Sequence, residues 1–107
     1  MHAELIPDAL LEDVARQFAL LGDPTRLRIL RSLHESGETS VGQLAETTGI
    51  GRSNLSQHLA LLAAAGLVSR RREGAMVYYQ VADATIGQLC DLVCTSLRSR
   101  ARQLAAS

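Results

Sequence analysis

Lysine and tryptophan are absent from the chain, and all eleven of its basic residues are arginine. With one phenylalanine and two tyrosines, aromatic residues make up only 3% of the 107, against 47% hydrophobic residues overall. The core must therefore come from Leu, Val, Ile and Ala, which favours packed helices over a β-sandwich. Two cysteines are too few for a disulfide scaffold. No run approaches the ~20 apolar residues that span a membrane. The first residues, MHAELIPDALLEDV, are acidic and lack the basic-then-apolar order of a signal peptide, so a cytoplasmic location is expected. A formal net charge of zero argues against a protein that coats polyanions indiscriminately.

The charge is nonetheless uneven. Residues 1–50 hold four arginines against eight acids, and residues 51–107 hold seven against three. Arginine makes planar, bidentate contacts with phosphate and guanine, although a GC-rich genome also enriches it.

The stretch Gly49–Gly66, GIGRSNLSQHLALLAAAG, organises the rest. A glycine turn leads into a helix expected over Arg52–Ala65. At 100° per residue, Leu55, Leu59 and Leu62 share one side, while Ser53, Ser56, Gln57 and Ala60 fall opposite. No acid lies between Gly49 and Arg72, whereas an ordinary surface helix carries Glu and Lys. A helix enters the DNA major groove with short, hydrogen-bonding side chains, and Arg, Ser, Asn and Gln bond base edges there. Arg52, Ser53, Asn54, Ser56 and Gln57 are the candidate base readers of a recognition helix.

The flanks agree. Asp8 to Leu21 is expected to be a first helix, with Leu10, Leu11, Val14, Phe18 and Leu21 at helical spacing. Asp23 caps a second helix with Pro24 at its first position, Leu27, Leu30 and Leu33 inward, and Arg26, Arg28 and Arg31 on its other sides, as a solvated face or, less favoured, as contacts to the DNA backbone. Ser40 and Gln43 have capping-box spacing and open a short helix ending near Thr48, with Val41, Leu44 and Ala45 inward and Gly49 as left-handed turn. Residues 40–66 thus read as a helix-turn-helix.

Residues 67–82 follow as a hairpin: a strand over Leu67–Arg72, a Glu73-Gly74 turn and a return strand over Ala75–Val81. Arg70, Arg71 and Arg72 make it a wing suited to phosphates or the minor groove, though arginines on an edge strand also deter aggregation. Residues 83–105 are the last helix, with an apolar stripe of Ile86, Leu89, Cys90, Val93, Cys94, Leu97, Ala101 and Leu104. The fold class expected is mainly α with a small β-hairpin, in one winged helix-turn-helix domain over 1–107. So small a body cannot cover the stripes of both terminal helices, so 8–21 and 83–105 are expected to form a homodimer interface. Two recognition helices would then stand ~34–36 Å apart on an inverted repeat of double-stranded DNA.

The segments LLGDPTRLRILRSL and SVGQLAETTGIGRSNLSQHLALLAAAGLVSRRREGAMVYYQV, in this order over residues 15–83, closely resemble the ArsR/SmtB family of winged helix-turn-helix repressors. That resemblance implies a homodimer that represses its promoter and leaves DNA when an inducer binds, often a metal ion, an arsenical, or a reactive sulfur or oxygen species. None of the following sensor sites of the family is intact in this chain. Ser40-Val41-Gly42-Gln43 stands where arsenic and cadmium sensors carry Cys-x-Cys. Of the zinc ligands on the last helix only Asp83 is kept, with Thr85, Ser96 and Ser99 in the other places. Leu61 and Ala65 replace the recognition-helix cysteines of a cadmium/lead type, and Arg31 and Arg98 replace the paired thiols of the persulfide sensors.

Cys90 and Cys94 are the candidate sensor thiols. Four residues apart on one helical face, they can chelate a soft metal ion or As(III) with further ligands from a partner subunit, or simply fill the dimer interface as small apolar groups. Asp91, 100° from Cys90, is expected to turn away into solvent. His2, His34 and His58 have no ligand spacing, and His58 reads as a packing or capping residue. No nucleophile–base pair, phosphate-binding glycine loop or metal triad points to an enzyme. The competing reading is a winged-helix protein–protein adaptor, which would expose apolar anchors where this chain has Arg52, Ser53, Ser56, Gln57 and Arg70–Arg72.

Overall fold

A computed structural model describes residues 5–106, so the reading of His2 lies outside it. A 3₁₀ turn over Asp8–Leu10 leads into α1 (Leu11–Leu21), followed by α2 (Pro24–Ser36), β1 (Thr39–Ser40), α3 (Val41–Thr48) and α4 (Arg52–Ala64). The chain ends with β2 (Val68–Glu73), β3 (Met76–Val81) and α5 (Thr85–Ala106).

Local chemistry sets the boundaries. The Asp23 carboxylate accepts from the Arg26 N–H at 2.9 Å and Pro24 opens α2. That backbone donor holds the Asp23 carboxyl below its usual range. The cap therefore contributes in full above the ordinary carboxylate pKa and is lost as pH falls through the lowered one. Ser40 Oγ accepts from the Gln43 N–H at 3.2 Å and lies 3.3 Å from Gln43 Oε1. The box is thus closed side chain to side chain rather than by Gln43 reaching the backbone N–H of Ser40. Ser40 is buried, so Ser40→Ala is expected to cost about 1 kcal/mol in denaturant unfolding. Gly49 has φ +73°, the left-handed turn that joins α3 to α4.

The core is aliphatic: Ile29, Leu33, Leu44, Leu55, Leu59, Leu62 and Leu67 are fully buried. The predicted face of α4 is thus confirmed, and Val41 and Ala45 pack on the core beside Leu44. Helix α2 departs from the expectation. Ile29, Leu30 and Leu33 carry its buried face, while Leu27 remains 38% exposed. The leucine spacing counts Leu27 inward, but the side of α2 it occupies faces an open groove.

The sheet is antiparallel in the order β1-β3-β2. The strand β1 has no counterpart in the sequence reading, because two residues are too few to show a period. Thr39 pairs with Tyr79 and Ser40 with Tyr78, which ties the entry of the helix-turn-helix to the hairpin. Glu73 belongs to β2, opposite Met76, so the turn is Gly74-Ala75, one residue later than expected.

Helix α5 starts against the body, with Ile86 buried, and from Asp91 to Ala106 it is exposed. The radius of gyration, 16.4 Å, exceeds the about 13 Å of a compact chain this long. Its expected single stripe is divided. Cys90 and Cys94 turn toward α2, whereas Val93, Leu97 and Leu104 lie bare with Leu92, which the stripe had left out. No helix among the described residues is long and apolar enough to cross a membrane.

Candidate nucleic-acid interface

Helix α4 presents Arg52, Ser53, Asn54, Ser56, Gln57 and Ala60 to solvent, with Ser53, Ser56, Gln57 and Ala60 opposite the buried Leu55, Leu59 and Leu62. The polar face read from the sequence is free of carboxylates and is bordered by Leu61, 50% exposed, which lines a shallow hollow against α1. Arg52 leans back over α3: a Cβ built on Gly42 would meet its Nη2 at 3.0 Å. The glycine leaves room for the guanidinium against the turn.

His58 is half-buried at the edge of this helix, with Nδ1 3.4 Å from Arg26 Nη1. Arg26 also donates through Nε to the Leu20 carbonyl at 2.6 Å. Arg26 is thus no solvated side chain, as its helical position had suggested. It fastens the end of α1 and the start of α2 to the recognition helix.

The three wing arginines are not equivalent. In the β2–β3 register Arg70 faces Tyr79, Arg71 faces Tyr78 and Arg72 faces Val77, so Arg71 lies on one face of the hairpin and its neighbours on the other. Arg71 is committed internally. It donates to Glu38 at 3.1 Å from Nε and 2.7 Å from Nη2, and to Glu73 at 2.6 Å from Nη1. Its guanidinium sits 4.7 Å from the centre of the Tyr78 ring. These contacts raise the Arg71 pKa further, and its hydrogen bond holds the Glu38 carboxyl below the usual range. Arg70 has no hydrogen-bond or ion-pair partner among the described residues, and Arg72 reaches only the Gly74 carbonyl, at 3.2 Å. Glu38 is the residue the sequence reading missed. It lies 33 positions before Arg71, and only the pairing of β1 with β3 brings the two together.

The candidate thiols stand elsewhere. Cys90 is half-buried and Cys94 exposed, and both line an open groove of about 490 Å³ between α2 and α5. Asp91 is exposed, as expected, but it borders the same groove rather than turning away from the thiols. No three His, Cys, Asp or Glu side chains among the described residues converge as a metal site.

A helix-turn-helix domain family matches residues 21–71. The transcriptional regulator KmtR of Mycobacterium tuberculosis is 40% identical over 93 residues, covering 83% of this chain and 71% of that protein. The chain belongs to the ArsR/SmtB family of winged helix-turn-helix transcriptional regulators. Solved ArsR-type structures superpose closely. The antimony-specific repressor AntR matches with a TM-score of 0.82 at 26% identity, over 95% of this chain and 92% of that one. The homodimeric DNA-binding domain of a possible ArsR-family regulator of Mycobacterium bovis matches at 0.74 and 35% identity, over 92% and 90%. The match to an ArsR-type regulator thus rests on the whole winged helix and not on the helix-turn-helix alone. Family and relatives are regulators and not enzymes.

Proposed function

We propose that this protein is a homodimeric repressor that binds an inverted-repeat operator and leaves it when an inducer reaches the groove between α2 and α5. One observation carries the DNA reading: the first two turns of α4 expose short polar side chains and no acid, and the unpaired Arg70 stands on the adjoining wing, while the one large apolar side chain exposed on α4, Leu61, faces α1. Arg52, Ser53, Asn54, Ser56 and Gln57 then read bases, and Arg70 and Arg72 hold phosphates. A protein–protein adaptor would need apolar anchors here, and these residues supply none.

The exposed row of Val93, Leu97 and Leu104 on α5, with Phe18 on α1, supports a two-fold dimer through the terminal helices. Cys90 and Cys94 are the residues we assign to sensing. Two thiols four residues apart suit a soft ion such as As(III) or antimony, the metalloid named for AntR, or a reactive sulfur or oxygen species. The described residues bring no third ligand to Cys90 and Cys94, and a metal needing three would draw it from a partner subunit or from outside these residues.

Gln57→Ala is expected to cost about 1–3 kcal/mol of operator binding while leaving binding to random DNA intact. The deciding experiment is fluorescence anisotropy with the DNA upstream of the protein's own gene, run reduced and then with As(III), Cd(II), Zn(II), persulfide or peroxide. Salt-sensitive binding that one agent abolishes, and that Cys90→Ser/Cys94→Ser retains, establishes the thiol-sensing repressor. Binding indifferent to every agent leaves a repressor whose cysteines only pack. No binding to any promoter fragment moves the protein to the adaptor class.

A further inference from the structure

The groove between α2 and α5 has two unlike walls. The α5 wall carries the thiols used above. The α2 wall carries Arg28, Arg31 and His34, and the two guanidinium groups, which have donors only, cannot ligate a metal ion. These three share one arc of the helix with Leu27 and Leu30, because positions three and four apart stack on one face. Arg28 and Arg31 have no hydrogen-bond or ion-pair partner among the described residues. The only carboxylate among the residues lining the groove is Asp91.

Between the walls the lining is apolar, with Leu27, Leu30, Val81 and Ile86. At its rim the His34 ring packs on Gly87 so tightly that an added Cβ would lie 3.3 Å from it. The volume, about 490 Å³, is that of a small-molecule pocket. Unpaired guanidinium groups beside uncovered leucine describe a ligand with one charged end and one greasy end. An inorganic anion would leave Leu27 bare, and an uncharged apolar molecule would leave the arginines without a counter-ion.

We propose that this groove binds a small organic carboxylic acid with an apolar body, its carboxylate held by Arg28 and Arg31 and its body laid over Leu27, Leu30 and Ile86. Guanidinium is the side chain best shaped for a carboxylate, and the apolar floor supplies the burial. The site also has a route to the DNA side. Arg26, one turn before Leu30 on α2, touches His58 of the recognition helix, so an acid wedged between α2 and α5 acts on a helix already fastened to α4. That effect on DNA rests on the repressor reading; the binding itself does not.

The test uses the full chain, with octanoate as probe and octan-1-ol and inorganic phosphate as controls. Calorimetry is expected to show saturable octanoate binding, with methyl NMR shifts concentrated at Leu27, Leu30, Val81 and Ile86. Octanol and phosphate should each bind far more weakly. Arg28→Gln/Arg31→Gln should weaken octanoate about ten-fold or more, the loss expected for charge-assisted hydrogen bonds. Both side chains are exposed, and an unchanged melting profile will show that the variant folds. No saturable binding at millimolar octanoate overturns the proposal, as do shifts centred on Phe18 and Leu97 or an affinity indifferent to the two arginines. Loss of operator affinity in the ligand-free double variant would make the arginines phosphate contacts and also overturn it. Anisotropy of the untreated protein with operator DNA tests the repressor reading separately.

Discussion

Val93→Glu combined with Leu97→Glu is expected to leave the protein monomeric at micromolar concentration and to lower operator affinity on the order of 100-fold or more. Leu97 is 56% exposed and Phe18 53% exposed in the isolated chain, although Leu21 of α1 and Ile86 of α5 belong to the core. Exposed rows of large apolar side chains, such as Val93, Leu97 and Leu104 on α5, mark interaction surfaces. Two carboxylates placed within such a row would be buried unpaired in a dimer, which costs more than the apolar contact returns. A monomer reads one half-site and loses the linkage that makes the second half-site nearly intramolecular. The two substitutions lie on the exposed row of α5, away from the core, so circular dichroism and melting of the monomer should stay near wild type. Sedimentation that shows an unchanged dimer would place the subunit interface elsewhere. A monomer that retains full operator affinity would remove the need for a dimer.

The second large effect separates the wing arginines by sign. Arg70→Ala/Arg72→Ala should weaken every DNA alike and flatten the salt dependence by about 0.9 for each phosphate contact removed. Arg71 should behave differently, because Glu38, Glu73 and Tyr78 already occupy it. Glu38→Gln removes the partner and leaves Arg71 in place. If Arg71 braces the wing, Glu38→Gln lowers affinity several-fold without changing the salt slope, because the loss is one of positioning and not of charge contacts. If Arg71 instead grips phosphate, Glu38→Gln releases it, and both affinity and slope rise. The geometry favours the first outcome. The brace also has a pH sense. Arg71 holds the Glu38 carboxyl below its ordinary range, so the contact is intact above that range and is lost as pH falls through the lowered value. Loosening of the wing is then an acid event, visible as loss of the Tyr78–Arg71 contact in NMR titration.

Much of this was legible in the chain itself, for identifiable reasons. Caps and turns are decided within four residues, so Asp23, Ser40 and Gly49 marked their helix ends correctly. A buried helical stripe repeats every three to four residues, so Leu55, Leu59 and Leu62 identified the inner side of α4 and, by exclusion, its DNA-facing side. The arginine hairpin and the family resemblance were equally local, each a run of neighbouring residues.

The tertiary structure alone decided what depends on which face meets which neighbour. Periodicity cannot say whether an apolar position is covered, so its spacing places Leu27 with the core although the fold leaves it on an open groove. Nor can it divide one stripe between two environments, as the fold divides Cys90 and Cys94 from Val93 and Leu97. Nor does a run of three arginines show that its middle member is spoken for by a carboxylate 33 residues earlier. Sequence determines propensities over a few residues. Long-range pairing, such as Thr39 with Tyr79 and Arg26 with His58, is settled only when the helices and strands have packed.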